Sequence, residues 1–92
     1  MERFSTRKID ELGRIALHVE LRKRLGLEKR AKVTLTVVGS IVIMQVSDSG
    51  GIEVCELGMI TIPAEIRQKL AWAARSEVAM YHADDLLILK TP

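Results

Sequence analysis

Asp10–Leu27 reads DELGRIALHVELRKRLGL, and 45 residues later Cys55–Trp72 reads CELGMITIPAEIRQKLAW. Residues 10–47 and 55–92 lie over one another without a gap. Identities fall at Glu11/Glu56, Leu12/Leu57, Gly13/Gly58, Ile15/Ile60, Glu20/Glu65, Arg22/Arg67, Leu25/Leu70, Arg30/Arg75, Val33/Val78 and Ile43/Ile88. Apolar replaces apolar at Leu17/Ile62, Leu21/Ile66, Leu35/Met80 and Met44/Leu89. An apolar pattern kept in register over that length reads as a tandem duplication: a basic copy at 6–46, a diverged copy at 52–92, and a flexible linker at 47–51.

Each copy carries the same parts. Residues 6–10 alternate as a strand does, and Gly13 and Gly58 stand where a tight turn needs positive φ. Ile15 with Leu17, and Ile60 with Ile62, make a second short strand. A small amphipathic helix follows, with Leu21 and Leu25, or Ile66 and Leu70, facing inward at i,i+4 spacing. Pro63 is expected at the first position of the second helix, with His18 in the matching place of the first. Gly26 suits a C-terminal cap. Its counterpart Ala71 precedes Trp72-Ala73-Ala74, all tolerated in a helix, so the second helix is expected to run up to a turn longer. Trp72 is expected to cover the barrel end; left exposed, it would be a partner anchor.

Two strands close each copy, around a two-residue type II′ turn at Gly39-Ser40 and a three-residue turn at Ala83-Asp84-Asp85. The runs Ile41–Met44 and Leu86–Leu89 predict strands buried on both faces. Four short strands and one helix cannot bury their own apolar faces. The expected fold is therefore mainly β with one short helix per repeat: a ββαββ unit used twice in one barrel domain spanning 1–92, with a pseudo-two-fold axis.

Composition narrows the class. Nearly half of the 92 residues are apolar, which excludes a disordered chain. One cysteine cannot make an internal disulfide, and neither a signal peptide nor a membrane span is visible, so cytoplasmic residence is expected. His18 and His82 are isolated, and Cys55 has no base beside it; no metal, cofactor or catalysis is expected. Charge is divided. Residues 1–46 hold ten Lys/Arg against five acids, a net of +5; residues 47–92 hold four against seven, a net of −3. That split points to a basic surface for an anionic partner.

The residues Arg7-Lys8-Ile9-Asp10-Glu11-Leu12-Gly13-Arg14-Ile15, then Glu20-Leu21-Arg22-Lys23 and Leu25-Gly26-Leu27, resemble the SpoVT/AbrB family of swapped-hairpin (double-split) β-barrel DNA-binding domains. The second copy resembles it through Glu56-Leu57-Gly58, Ile60-Thr61-Ile62-Pro63, Glu65-Ile66-Arg67 and Leu70. Two copies in one chain are similar to the arrangement in MraZ proteins, whose Asp-x-x-x-Arg motif fits Asp10–Arg14 but not Cys55–Met59. The resemblance implies a transcriptional regulator contacting double-stranded DNA through Arg7, Lys8, Arg14, Arg22 and Lys23, with Arg24 and Arg67 as secondary contacts. At the matching places the second copy has Ile52, Glu53, Met59, Arg67 and Gln68.

The helix charges also suit a solvated face with a Glu20–Arg24 pair. A protein-binding module, such as an antitoxin-like partner, or a dimerisation scaffold without DNA binding uses the same framework. Both a closed pseudo-dimeric monomer and a homodimer fit the sequence.

Overall fold

Period-two alternation builds the apolar runs of this chain into short strands. A computed structural model of the chain describes residues 2–27 and 30–92, the first three of these by backbone alone. The side chains of Arg3 and Lys29, both counted in the basic half, lie outside the described residues. The elements run β1 (Glu2–Lys8), β2 (Arg14–Ala16), α1 (Val19–Leu25), β3 (Lys32–Val38), β4 (Ile41–Ser47), β5 (Ile52–Glu53), β6 (Met59–Thr61), α2 (Ala64–Leu70), β7 (Glu77–Ala83) and β8 (Leu86–Lys90).

Six strands form one antiparallel sheet, β1-β7-β8-β4-β3-β5, curled into half a barrel, and β2 and β6 form a separate ribbon. The opening strand of each half leaves its own half. β1 pairs with β7, and β5 pairs with β3. The registers repeat at an offset of 45: Lys8 faces Glu77 as Glu53 faces Lys32, while Ile15↔Ile60 and Ile43↔Ile88 map onto themselves.

The core obeys the same offset. Ile9/Val54, Ile15/Ile60, Leu17/Ile62, Leu27/Trp72, Val33/Val78, Val42/Leu87 and Met44/Leu89 are all buried as pairs. Burying each such side chain stabilises the fold by about 1.5–3 kcal/mol. The halves differ at Leu21, which is fully buried, whereas its counterpart Ile66 is only partly so. Leu25 and Leu70 also pack against the core from its edge.

Several expectations need correcting. The helices are equal in length, seven residues each. Ala71 turns left-handed at φ 58, as Gly26 does at φ 67. Helical propensity at Ala71–Ala74 loses to the burial of Trp72, whose N–H bonds Arg67 O and whose Nε1 donates to Thr91 Oγ1 at 3.0 Å. Trp72 is therefore a core residue, and an exposed anchor is ruled out. Pro63 and His18 are N-caps rather than first helical residues, and His18 Nδ1 accepts from the Glu20 N–H.

The last hairpin has a two-residue turn at Asp84-Asp85, because Ala83 pairs with Leu86; Asp84 takes φ 53 where the other hairpin has Gly39 at φ 62. The runs in β4 and β8 alternate buried and half-buried residues, so only one face is fully covered. β1 spans Glu2–Lys8 rather than 6–10. The stretch after β4 is less free than a flexible linker. Gly51 sits at φ 114, with its Cα so close to the Val33 carbonyl that a Cβ would collide with that oxygen. Leu12 and Leu57 are shared by both copies yet 67% and 74% exposed, so neither belongs to the core.

Candidate nucleic-acid interface

The turn at Asp10–Arg14 is built by one carboxylate. Asp10 Oδ1 accepts the N–H groups of Leu12 (2.9 Å) and Arg14 (2.8 Å), and Oδ2 accepts Arg14 Nε at 2.7 Å. Gly13 closes the turn at φ 80, donating to Asp10 O. The Arg14 N–H foremost, with the Arg14 guanidinium and the Leu12 N–H beside it, holds the Asp10 carboxyl below its ordinary range. Arg14 is thus fixed at Nε while its side chain stays 35% exposed. A guanidinium has five donors, so the terminal nitrogens can still grip a phosphate or a base edge.

The matching turn at Cys55–Met59 repeats the backbone without the Asp10–Arg14 ion pair. Cys55 N–H bonds Met59 O, and Gly58 N–H bonds Cys55 O at φ 74. The two turns lock together through the ribbon: Leu17 N–H reaches Gly58 O, and Ile62 N–H reaches Gly13 O.

Positive φ makes glycine the easier residue in both turns, and Arg22 and Arg67 lie across those glycines. Each arginine donates Nε–H to a carbonyl of its own half, Arg22 to Leu17 O (3.3 Å) and Arg67 to Ile62 O (2.9 Å). Each guanidinium then lies over the glycine of the opposite half. A Cβ on Gly58 would stand 2.7 Å from Arg22 Cζ, and one on Gly13 the same distance from Arg67 Cζ. Both arginines are half-buried brackets between the halves.

This exchange regroups the residues expected to form one surface. Arg67, assigned from sequence to the diverged copy, lies against Gly13, next in the chain to Arg14. Arg22 lies instead against the turn of the acidic half. Lys23 is exposed on α1. Arg24 lines a cleft of about 300 Å³ with Leu25, Gln45, Val46, Asp84 and Asp85, where acidic neighbours compete with any phosphate. Arg7 and Lys8 are separated by the strand's alternation. Arg7 shares the face of buried Val78, its Nε buried and unpaired among the described residues, whereas Lys8 is exposed on the other face opposite Glu77.

Sequence reasoning missed the pairing of Arg67 with the first turn. The signal was present in the Gly13/Gly58 and Arg22/Arg67 identities, but identity alone does not say that partners cross between copies. Among the described residues no group of three or more His, Cys, Asp or Glu could hold a metal, and no helix is long and apolar enough to cross a membrane. No protein-family model matches the chain, and no curated protein or solved structure compared with it matches either.

Proposed function

We propose that the chain is a DNA-binding transcriptional regulator of the SpoVT/AbrB type, a tandem duplication folded as a swapped-hairpin barrel that meets double-stranded DNA through its basic half. The observation that carries this reading is the Asp10–Arg14 turn, where a carboxylate pre-orients a half-exposed arginine that the matching turn lacks. Support for the architecture comes from the exchange of β1 and β5 between halves and from registers that repeat at an offset of 45. Arg67 beside Gly13 and Lys23 on α1 extend the cationic surface.

Three phosphate contacts, at Arg14, Arg67 and Lys23, predict an affinity that falls with a log–log salt slope of about −3, doubled if two chains bind together. Fluorescence anisotropy with a labelled duplex at several salt concentrations measures it. Arg14→Met, which imposes the second turn's residue on the first, is expected to weaken binding and to flatten the slope by about 1. If affinity and slope both survive while the variant stays folded, this surface is wrong.

One observation favours a second reading. Leu12 and Leu57 project from matched turns at 67% and 74% exposure, as the tips of a protein-binding module would. Loss of a co-purifying protein, with DNA affinity unchanged, in Leu12→Ser/Leu57→Ser would favour that reading.

A further inference from the structure

The two edge pairings of the sheet carry opposite charges arranged in opposite senses. At the β1–β7 edge the first half contributes Lys8 and the second Glu77. At the β3–β5 edge the first half contributes Lys32 and the second Glu53. All four residues are exposed, and among the described residues the charges stay beyond ion-pair distance, so they act as facing charges rather than as bonded pairs. The registers determine what would meet if a half paired with its own kind. First half on first half would put Lys8 opposite Lys32; second half on second half would put Glu53 opposite Glu77. Like charges directly opposite one another on antiparallel strands are destabilising, and opposite ones stabilising.

We infer that these four residues are a pairing code that makes each half reject a copy of itself and accept the other half, so that the chain closes on its own second half. The wider charge distribution acts in the same direction. A net of +5 against −3 attracts, whereas two +5 surfaces repel. Arg24 adds a third contact, since it lines its cleft with Asp84 and Asp85 of the other half. First half on first half would replace those two acids with Gly39-Ser40. This cleft bars only that one pairing, because Lys69 stands at the matching place in the second half. The edge pairs bar both. Tethering supplies the remainder: a short connection between β4 and β5 keeps the correct partner at a far higher effective concentration than any second chain. The inference rests on the strand registers and stands whether or not the chain binds DNA.

Two full-length double variants with equally drastic changes separate this code from a generic loss of packing. Lys32→Glu with Glu77→Lys places a lysine opposite Lys8 and a glutamate opposite Glu53, and makes like-with-like pairing between chains complementary. Lys8→Glu with Glu77→Lys reverses one pair but keeps opposite charges facing at both edges. The first variant is expected to melt about 4–8 °C below the second in low salt and to gain mass with concentration in light scattering. The second is expected to melt within about 2 °C of the parent as a single species. In 1 M salt, where the screening length falls to about 3 Å, the gap between them closes. Equal melting temperatures and masses in low salt overturn the inference. So does a gap that persists in 1 M salt, or a first variant that fails to fold even there.

Discussion

The two helix ends, Leu25-Gly26-Leu27 and Leu70-Ala71-Trp72, reach one geometry with different residues. In both, the capping residue is left-handed and the next N–H returns to an arginine carbonyl, Arg22 O or Arg67 O. In both, the residue after the cap is buried. Glycine makes the first cap free of strain. Alanine makes the second despite strain, because stopping the helix there delivers Trp72 to the core. The destination of the apolar residue decides where the helix ends, and the cap residue decides only how easily.

The two turns teach the converse. Asp10–Arg14 and Cys55–Met59 share the same backbone bonds, although only the first has a carboxylate to hold them. The turn geometry therefore comes from the glycine and the shared backbone bonds, and the Asp10–Arg14 pair is additional to it.

The largest effect that sharpens this comparison is expected at the residue after each cap. Trp72→Ala should cost about 3–5 kcal/mol in urea unfolding and Leu27→Ala about 2–5 kcal/mol. A Trp72→Ala cost under about 1 kcal/mol would break the argument that burial sets the helix end. Next come the caps themselves, which should respond with opposite signs. Ala71→Gly is expected to stabilise by about 1 kcal/mol and Gly26→Ala to destabilise by a similar amount. If Ala71→Gly lowers the melting temperature, the left-handed cap is not strained.

A smaller difference is expected at the N-caps. His18→Ala should cost about 0.5 kcal/mol by removing the acceptor of the Glu20 N–H, whereas Pro63 makes no side-chain cap to lose. The finest test is the Asp10 titration, followed by NMR. Its carboxyl is held below the ordinary value of 3.8, so its contribution is complete above that value and is lost as pH falls through the lower, folded-state one. In Arg14→Met the backbone N–H remains and the guanidinium goes, so the titration should move only part of the way back. Full return would make the side chain, not the backbone, the main cause.

Much of this was readable from the residues. The offset of 45, the positive φ at Gly13, Gly26 and Gly58, the two-residue turn at Gly39-Ser40 and most buried apolar pairs all follow from local chemistry. Leu12 and Leu57 show that an apolar residue repeated in both halves need not be buried. The turn at Asp84 misled because aspartate at φ 53 stands where glycine is the easier residue. The candidate site was legible only as a set of charges. Arg7 and Lys8 adjoin in sequence but face opposite ways, and Arg67 joins the first turn from the second half.

By itself, then, the sequence determined the units: two ββαββ patterns, their turns, their apolar stripes and their unequal charge. These depend on side-chain period and backbone preference, which act within a few residues. Which unit completes which was decided by the tertiary structure. The exchange of β1 and β5, the arginines seated on the opposite glycines and the left-handed Ala71 depend on partners distant in the chain. Local propensity is silent there, because the energy of each contact belongs to the pair.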